Sequence, residues 1–238
     1  MQAGDILLVT GQGKLSGPLV TAQKLLYSKA ISSHVEFGLG GGSFVHATSD
    51  GGVHLTFITE ELKHCEENWR AIRPKGITDE QQELLAAAGL YYLRQDYNKV
   101  FMGNGTEYSS FCSELVAKIY QKSDIDILSK KQPSKVAPAH FDIEADLQVD
   151  WEDVTDEYKA TIELICTNPL PYQLGYSTIK QVMARRHIHS KIRKEIFGFL
   201  QQEAKTNGNT ERIDFIENIK ANLRENRKLH FWDEHDEN

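Results

Sequence analysis

The sequence predicts an α+β fold: a small antiparallel, partly barrel-like sheet packed on helices, followed by a mostly helical extension. Three features carry this expectation. Short apolar segments of strand length, separated by glycine runs, fill the first 75 residues. Between residues 78 and 120 the apolar spacing changes to the period of a helix. From about Asp156 that period persists, so residues 1–155 are expected to form one domain and 156–238 a helical extension.

The elements follow in order. Ile6-Leu7-Leu8-Val9 is a short buried-strand pattern, ended by the glycine-rich stretch from Gly11 to Gly17. A helix is expected from Pro18 to Ser28, with the proline where its missing N–H does no harm. Ser33 to Leu39 and Ser43 to Thr48 alternate around Gly40-Gly41-Gly42 and read as a β-hairpin. Val53 to Ile58 and Trp69 to Ile72 supply two more strands. Thr78 and Gln81 form a capping box for a helix ending near Gln95. Ser110 is the expected N-cap of the next helix, whose apolar stripe is Leu115, Val116, Ile119 and Tyr120. Residues 123–142 read as loop, and Leu147, Val149 and Trp151 alternate like a final strand. Ser177 to Lys205 and Thr210 to Lys228 read as two helices, the second with Ile213, Phe215, Ile216, Ile219 and Leu223 on its core side.

Composition narrows the function classes. The chain has 238 residues, 40% of them hydrophobic and 26% charged, which suits a globular protein and not a disordered one. Its 27 basic and 34 acidic side chains leave a net charge of −7, so no nucleic-acid partner is expected from bulk attraction. No apolar run is long enough for a membrane span, and no basic segment precedes a signal-like stretch, so a cytoplasmic location is expected. Three cysteines, Cys65, Cys112 and Cys166, are too few and too dispersed for a disulfide framework.

Cys112 stands apart by position. In the first turn of a helix, unpaired backbone N–H groups and the helix dipole favour an anion. The expectation is therefore a lowered thiol pKa, selective alkylation near neutral pH, and N–H groups able to hold an oxyanion. A small buried hydrophobe is the alternative, and Cys65 and Cys166 are assigned to it.

A nucleophilic cysteine needs a base. Laying the apolar faces of the hairpin together pairs Val35 with Ala47 and Phe37 with Val45. The same register sets Glu36 opposite His46, with His34 diagonally adjacent. Two imidazoles and a carboxylate thus converge on one face, and a one-residue slip would separate them. Glu36, Ser110 and Ser113 are the candidates for substrate contact.

Gly-Asp-Ile at the start, Ser-His-Val, Phe-Val-His-Ala and Phe-Cys-Ser-Glu-Leu-Val together resemble the permuted NlpC-type papain-like enzymes. These comprise a YaeF/YiiX-like bacterial branch and a lecithin retinol acyltransferase branch. The resemblance covers about residues 1–155 and implies a circularly permuted papain-like fold, in which the cysteine follows the histidine in sequence. It implies Cys112 as nucleophile, His34 as base and His46 as the orienting residue. Histidine at the third position is the habit of the acyltransferase branch; the bacterial branch often carries glutamate. A site tyrosine is also implied, matched best by Tyr97, with Tyr108 the rival. Val136-Ala137-Pro138-Ala139 resembles the bacterial branch's proline-containing stretch.

The implied reaction is cleavage of an amide or ester bond through a cysteine thioester, by hydrolysis or acyl transfer, with no metal or organic cofactor. The expected substrate is a small molecule, lipid-like group or peptide, with an apolar acyl pocket favoured and cell-wall-type peptide fragments the other option. A non-catalytic binding module on the same shell is the competing class. The extension is expected to act as a lid, dimer contact or docking arm. His34-Val35-Glu36 matches half of a zinc deaminase signature, but the Pro-Cys-x-x-Cys half is missing. Gly11-Gln12-Gly13-Lys14 lacks the order of a phosphate loop, and His187 and His189 read as solvated helix residues.

Overall fold

A computed structural model of the chain describes residues 1–14 and 16–235. These divide into two compact units, Met1–Ser177 and Thr178–Asn238.

The first unit is built on a mixed set of strands and helices in this order: β1 (Ala3–Val9), α1 (Ser16–Gln23), β2 (His34–Gly40), β3 (Ser43–Thr48), β4 (Gly52–Phe57), α2 (Ile58–Glu61), β5 (Arg70–Pro74), α3 (Asp79–Tyr91), β6 (Asp96–Tyr97), β7 (Ser109–Ser110), α4 (Cys112–Lys122), α5 (Pro138–Leu147), β8 (Trp151–Asp153) and α6 (Thr155–Thr167). Six strands form an antiparallel sheet in the order β4-β3-β2-β1-β5-β8, and β6 and β7 pair in parallel.

The sheet is covered on both faces, which is why β1 reads as a continuous apolar run. On one side, Leu7, Val9, Phe44 and Phe57 pack with Ile58, Cys65, Tyr158 and Ile165. On the other, Phe37 meets Tyr120 of α4 edge-on, and a Cβ at Gly89 of α3 would lie 3.1 Å from its ring. Cys65 is core filling, as expected, and burial pushes its thiol up to about 12.

The start of β1 is anchored by charge. Asp5 is fully buried and accepts from Arg73 at 2.7 and 2.9 Å, from the Tyr158 hydroxyl at 2.9 Å and from the Gln2 N–H at 2.8 Å. Arg73 continues outward to Glu157. The pair therefore ties β1, β5 and α6 together.

Several sequence expectations are corrected. The stretch read as loop contains α5, which begins with Pro138 as its first helical residue and buries Phe141 and Ala145. Leu147 ends that helix instead of opening a strand, and only Trp151–Asp153 joins the sheet. The capping-box helix stops at Tyr91, and the first helix starts at Ser16 and ends at Gln23.

α7 (Pro169–Thr206) carries the chain into the second unit, which adds α8 (Thr210–Glu225) and α9 (Phe231–Glu234). Met183, Ser190, Ala204 and Ile216 are buried there. Asp233 holds α9 by accepting from Ser190 Oγ at 2.5 Å and Arg227 at 2.9 Å. Phe215 is 63% exposed, against the expectation of a core residue, because one position of helix rotates it off the Ile216 face.

Candidate active site

Cys112 is the first residue of α4, and Phe111 is the N-cap in extended conformation. Glu114, three residues on, reaches back to the Phe111 N–H at 3.4 Å. Ser110 is therefore not the cap that the sequence suggested. It lies in β7, fully buried, donating to Gln95 Oε1 at 2.6 Å and accepting from Lys118 Nζ at 2.9 Å. Ser113 is buried as well, its hydroxyl donating to the Val136 carbonyl at 2.8 Å.

The backbone pairing of β2 with β3 runs from Gly40 only as far as Phe37↔Val45. At the unpaired end, the Val35 N–H points to the Cys112 sulfur, as do the N–H groups of Ser113 and of Cys112 itself. Val35 follows His34 in β2. Only 6% of Cys112 is exposed, and burial pushes its thiol up from 9.0 to about 11. This reverses the expected direction. The N–H groups do favour the thiolate, but loss of hydration outweighs them.

Tyr97 lies in β6, and its hydroxyl is pushed up to about 12, first by burial and then by the field of Cys112. Tyr97 is therefore within the electrostatic reach of Cys112. Tyr108 is 58% exposed.

Three imidazoles form a line. His34 Nε2 is 3.3 Å from His46 Nδ1, and His46 Nε2 is 2.9 Å from His54 Nε2. His54 Nδ1 is 3.1 Å from the Gly52 carbonyl. Burial lowers the pKa of all three rings, that of His34 to about 3, so they are neutral near pH 7. Neutral rings carry one proton each, and this fixes the direction of the chain. A carbonyl only accepts, so the His54 proton is on Nδ1 and its Nε2 accepts from His46. His46 then accepts at Nδ1 from His34 Nε2–H. The last free lone pair is on His34 Nδ1.

The sequence reading missed His54, although β4 register supplies it: His46 pairs directly with His54. The turn before it is built for this contact. A Cβ at Gly51 would lie 2.7 Å from the His54 ring, and one at Gly52, where φ is +59°, would lie 2.6 Å from the Gln95 carbonyl.

Glu36 stands beside the line, with Oε1 3.4 Å from His46 Nδ1. It is fully buried, with the carboxyl of Glu61 as its nearby companion besides His46. Burial raises its pKa to about 8. Glu61 of α2 approaches the same ring at 4.0 Å; burial and the nearby Glu36 raise it to about 7.

Residues 1–159 match the family described as the permuted papain-like amidase enzymes, YaeF/YiiX, C92. The chain belongs to this permuted papain-like amidase family. A solved structure with similarity is that of the metalloprotein yiiX from Escherichia coli O157:H7, at 26% identity and a TM-score of 0.42. That match covers 51% of this chain and 66% of the other, just under two thirds of its length. No curated protein matches.

Membership in the amidase family accords with the mixed fold of helices and antiparallel sheet. In this amidase-family chain, His34, Glu36 and His46 are also the one group among the described residues whose donor atoms could hold a metal ion, all lying within 4.8 Å of one another. No helix among the described residues is long and apolar enough to cross a membrane.

Proposed function

We propose that this chain is a cysteine amidase that releases an apolar acyl group through a thioester on Cys112. The observation that carries the reading is the direction of the imidazole line, which leaves the His34 Nδ1 lone pair as its free end. His34 takes the thiol proton as the sulfur attacks the carbonyl carbon. The N–H groups at the start of α4 and the Tyr97 hydroxyl stabilise the oxyanion. His34 returns the proton to the leaving amine, the C–N bond breaks, and the acyl group remains on sulfur. Water then attacks with its proton going to His34, which restores the thiol and releases the acid. An acceptor alcohol or amine in place of water would make the same steps an acyl transfer.

His46 is an orienting residue in this mechanism, and His54 positions His46. Ser110 acts as scaffold, its hydroxyl committed to Gln95 and Lys118, while the Ser113 hydroxyl, held by the Val136 carbonyl, also favours the Cys112 thiolate. An apolar acyl group is favoured by Val100 and Phe101, 63% and 43% exposed a few residues beyond Tyr97. Phe101 packs on Phe111, the residue before the nucleophile, at 4.7 Å between ring centroids.

Incubation with a panel of N-acyl amides and peptide amides, followed by intact-mass analysis, tests this. An acyl adduct on Cys112, favouring apolar acyl chains and absent from folded Cys112→Ala, is expected. Absence of any adduct or turnover across the panel would favour the non-catalytic binding module, and adducts from peptide fragments alone would refute the apolar specificity.

A further inference from the structure

Glu36 has no part in the amide-cleaving steps, yet it is a fully buried carboxyl whose only close company besides His46 is another carboxyl, that of Glu61. Such a group is costly unless something answers it. His46 faces it across the hairpin and His34 lies two residues before it on the same strand, and the donor atoms of all three lie within 4.8 Å of one another. The separations are 3.3 Å from His34 Nε2 to His46 Nδ1 and 3.4 Å from His46 Nδ1 to Glu36 Oε1. They match the edge of a tetrahedron with zinc–nitrogen and zinc–oxygen bonds, about 3.3 Å.

We propose that His34 Nε2, His46 Nδ1 and a Glu36 carboxylate oxygen form a binding site for a zinc-class divalent cation that holds the enzyme inactive. Two imidazoles and a carboxylate are a donor set suited to zinc. The supporting shell is already in place: a ligating histidine ordinarily donates its other N–H to a fixed acceptor. His46 does so toward His54 Nε2, which the Gly52 carbonyl orients in turn. Glu61 Oε2, 4.0 Å from His46 Nδ1, is the nearest further oxygen for a fourth position otherwise taken by water.

Inhibition follows from the same tautomer logic. A cation on His34 Nε2 moves the ring proton to Nδ1, so the lone pair needed for the thiol proton is gone. This consequence rests on the amidase reading; the binding itself does not, and the two are tested apart.

The metal-free full chain is titrated with Co²⁺ as a spectroscopic probe, then with Zn²⁺ in competition. One saturable Co²⁺ per chain is expected, with visible bands of a nitrogen–oxygen site and no strong sulfur-to-cobalt band. Cys112→Ala, which removes any hydrolase activity, leaves this binding unchanged, as does His189→Ala on the exposed face of α7. Glu36→Gln and His46→Gln each weaken it at least tenfold, the least expected when a ligand rather than a supporting residue is altered. In the Cys112→Ala protein, with all three ligands intact, the ¹⁵N resonances of His34 Nε2 and His46 Nδ1 shift together on Zn²⁺ addition. No saturable binding, binding lost with Cys112→Ala, or shifts confined to other histidines would overturn the proposal.

Discussion

The direction of the imidazole line can be broken at its far end, away from the reacting atoms. His54→Phe removes the acceptor at 2.9 Å from His46 Nε2. Keeping the His46 proton on Nε2 would then leave a buried N–H unsatisfied, at a cost of roughly 1–3 kcal/mol. The ring escapes that cost by moving the proton to Nδ1, where Glu36 Oε1 stands at 3.4 Å. Two N–H groups would then face each other between His46 and His34, so His34 shifts its own proton to Nδ1 and ceases to be a base. At about 1.4 kcal/mol per tenfold, the competent tautomer falls by about fivefold to about 150-fold. We expect kcat to fall by that factor with KM little changed, and His54→Gln, whose side-chain carbonyl accepts from His46, to recover most of it. The substrate-independent assay is ¹⁵N–¹H correlation of the histidine rings in metal-free Cys112→Ala protein. It should show protons on Nε2 of His34 and His46 and on Nδ1 of His54. A proton on His34 Nδ1 in the resting protein, or unchanged kcat in folded His54→Phe, would refute the reasoning.

Three further outcomes are expected. With its thiol at about 11 instead of 9.0, Cys112 holds about a hundredfold less thiolate at pH 8 than an ordinary cysteine, so iodoacetamide should modify exposed Cys166 well before Cys112 or Cys65 in mass-mapped time courses. Glu36 keeps its proton up to about pH 8 in the folded chain but only to 4.5 when unfolded, so its contribution is present below pH 4.5 and lost as pH rises toward 8; Glu36→Gln should flatten the decline in melting temperature between pH 5 and 8. Asp5→Asn, which leaves Arg73 without its buried partner, should cost about 3 kcal/mol in urea unfolding, and a loss under about 1 kcal/mol would show that Glu157 alone suffices.

The hairpin was legible because strand alternation is strict: once Phe37 faces Val45, as it does, Glu36 and His46 must share a face. Cys112 was legible because helix starts leave a mark in sequence, although the cap itself was misplaced. Ser110 has the right chemistry for a cap, but tertiary partners Gln95 and Lys118 claim its hydroxyl, and Glu114 reaches back to the helix start instead. α5 was hidden because its only start signal, Pro138, also marks loops. The thiol's pKa was wrong in direction because a sequence shows which N–H groups will surround a sulfur but not how much water will leave it. His54 was within reach of simple register counting, but nothing about a strand histidine flags that its other nitrogen will meet a carbonyl two residues back.

In the proposed mechanism the nucleophile is a buried thiol and the base a neutral imidazole, and that combination has a physical logic. Burial disfavours charge on both groups before substrate arrives, so the ground state is uncharged, and Cys112 and His34 share that constraint. The N–H groups of Val35, Ser113 and Cys112 are nonetheless fixed around the sulfur. Their dipoles gain little from a neutral thiol and much from the charge that appears on sulfur and carbonyl oxygen during attack. Interactions that strengthen only as charge develops lower the barrier without tightening the ground state. A preformed ion pair would instead gain those interactions before attack and forfeit part of the difference. The same reasoning explains why the tautomer of His34 matters more than its basicity: a neutral ring with its lone pair on Nδ1 can accept a proton at the moment the sulfur commits, whereas one with its proton there cannot, whatever its pKa.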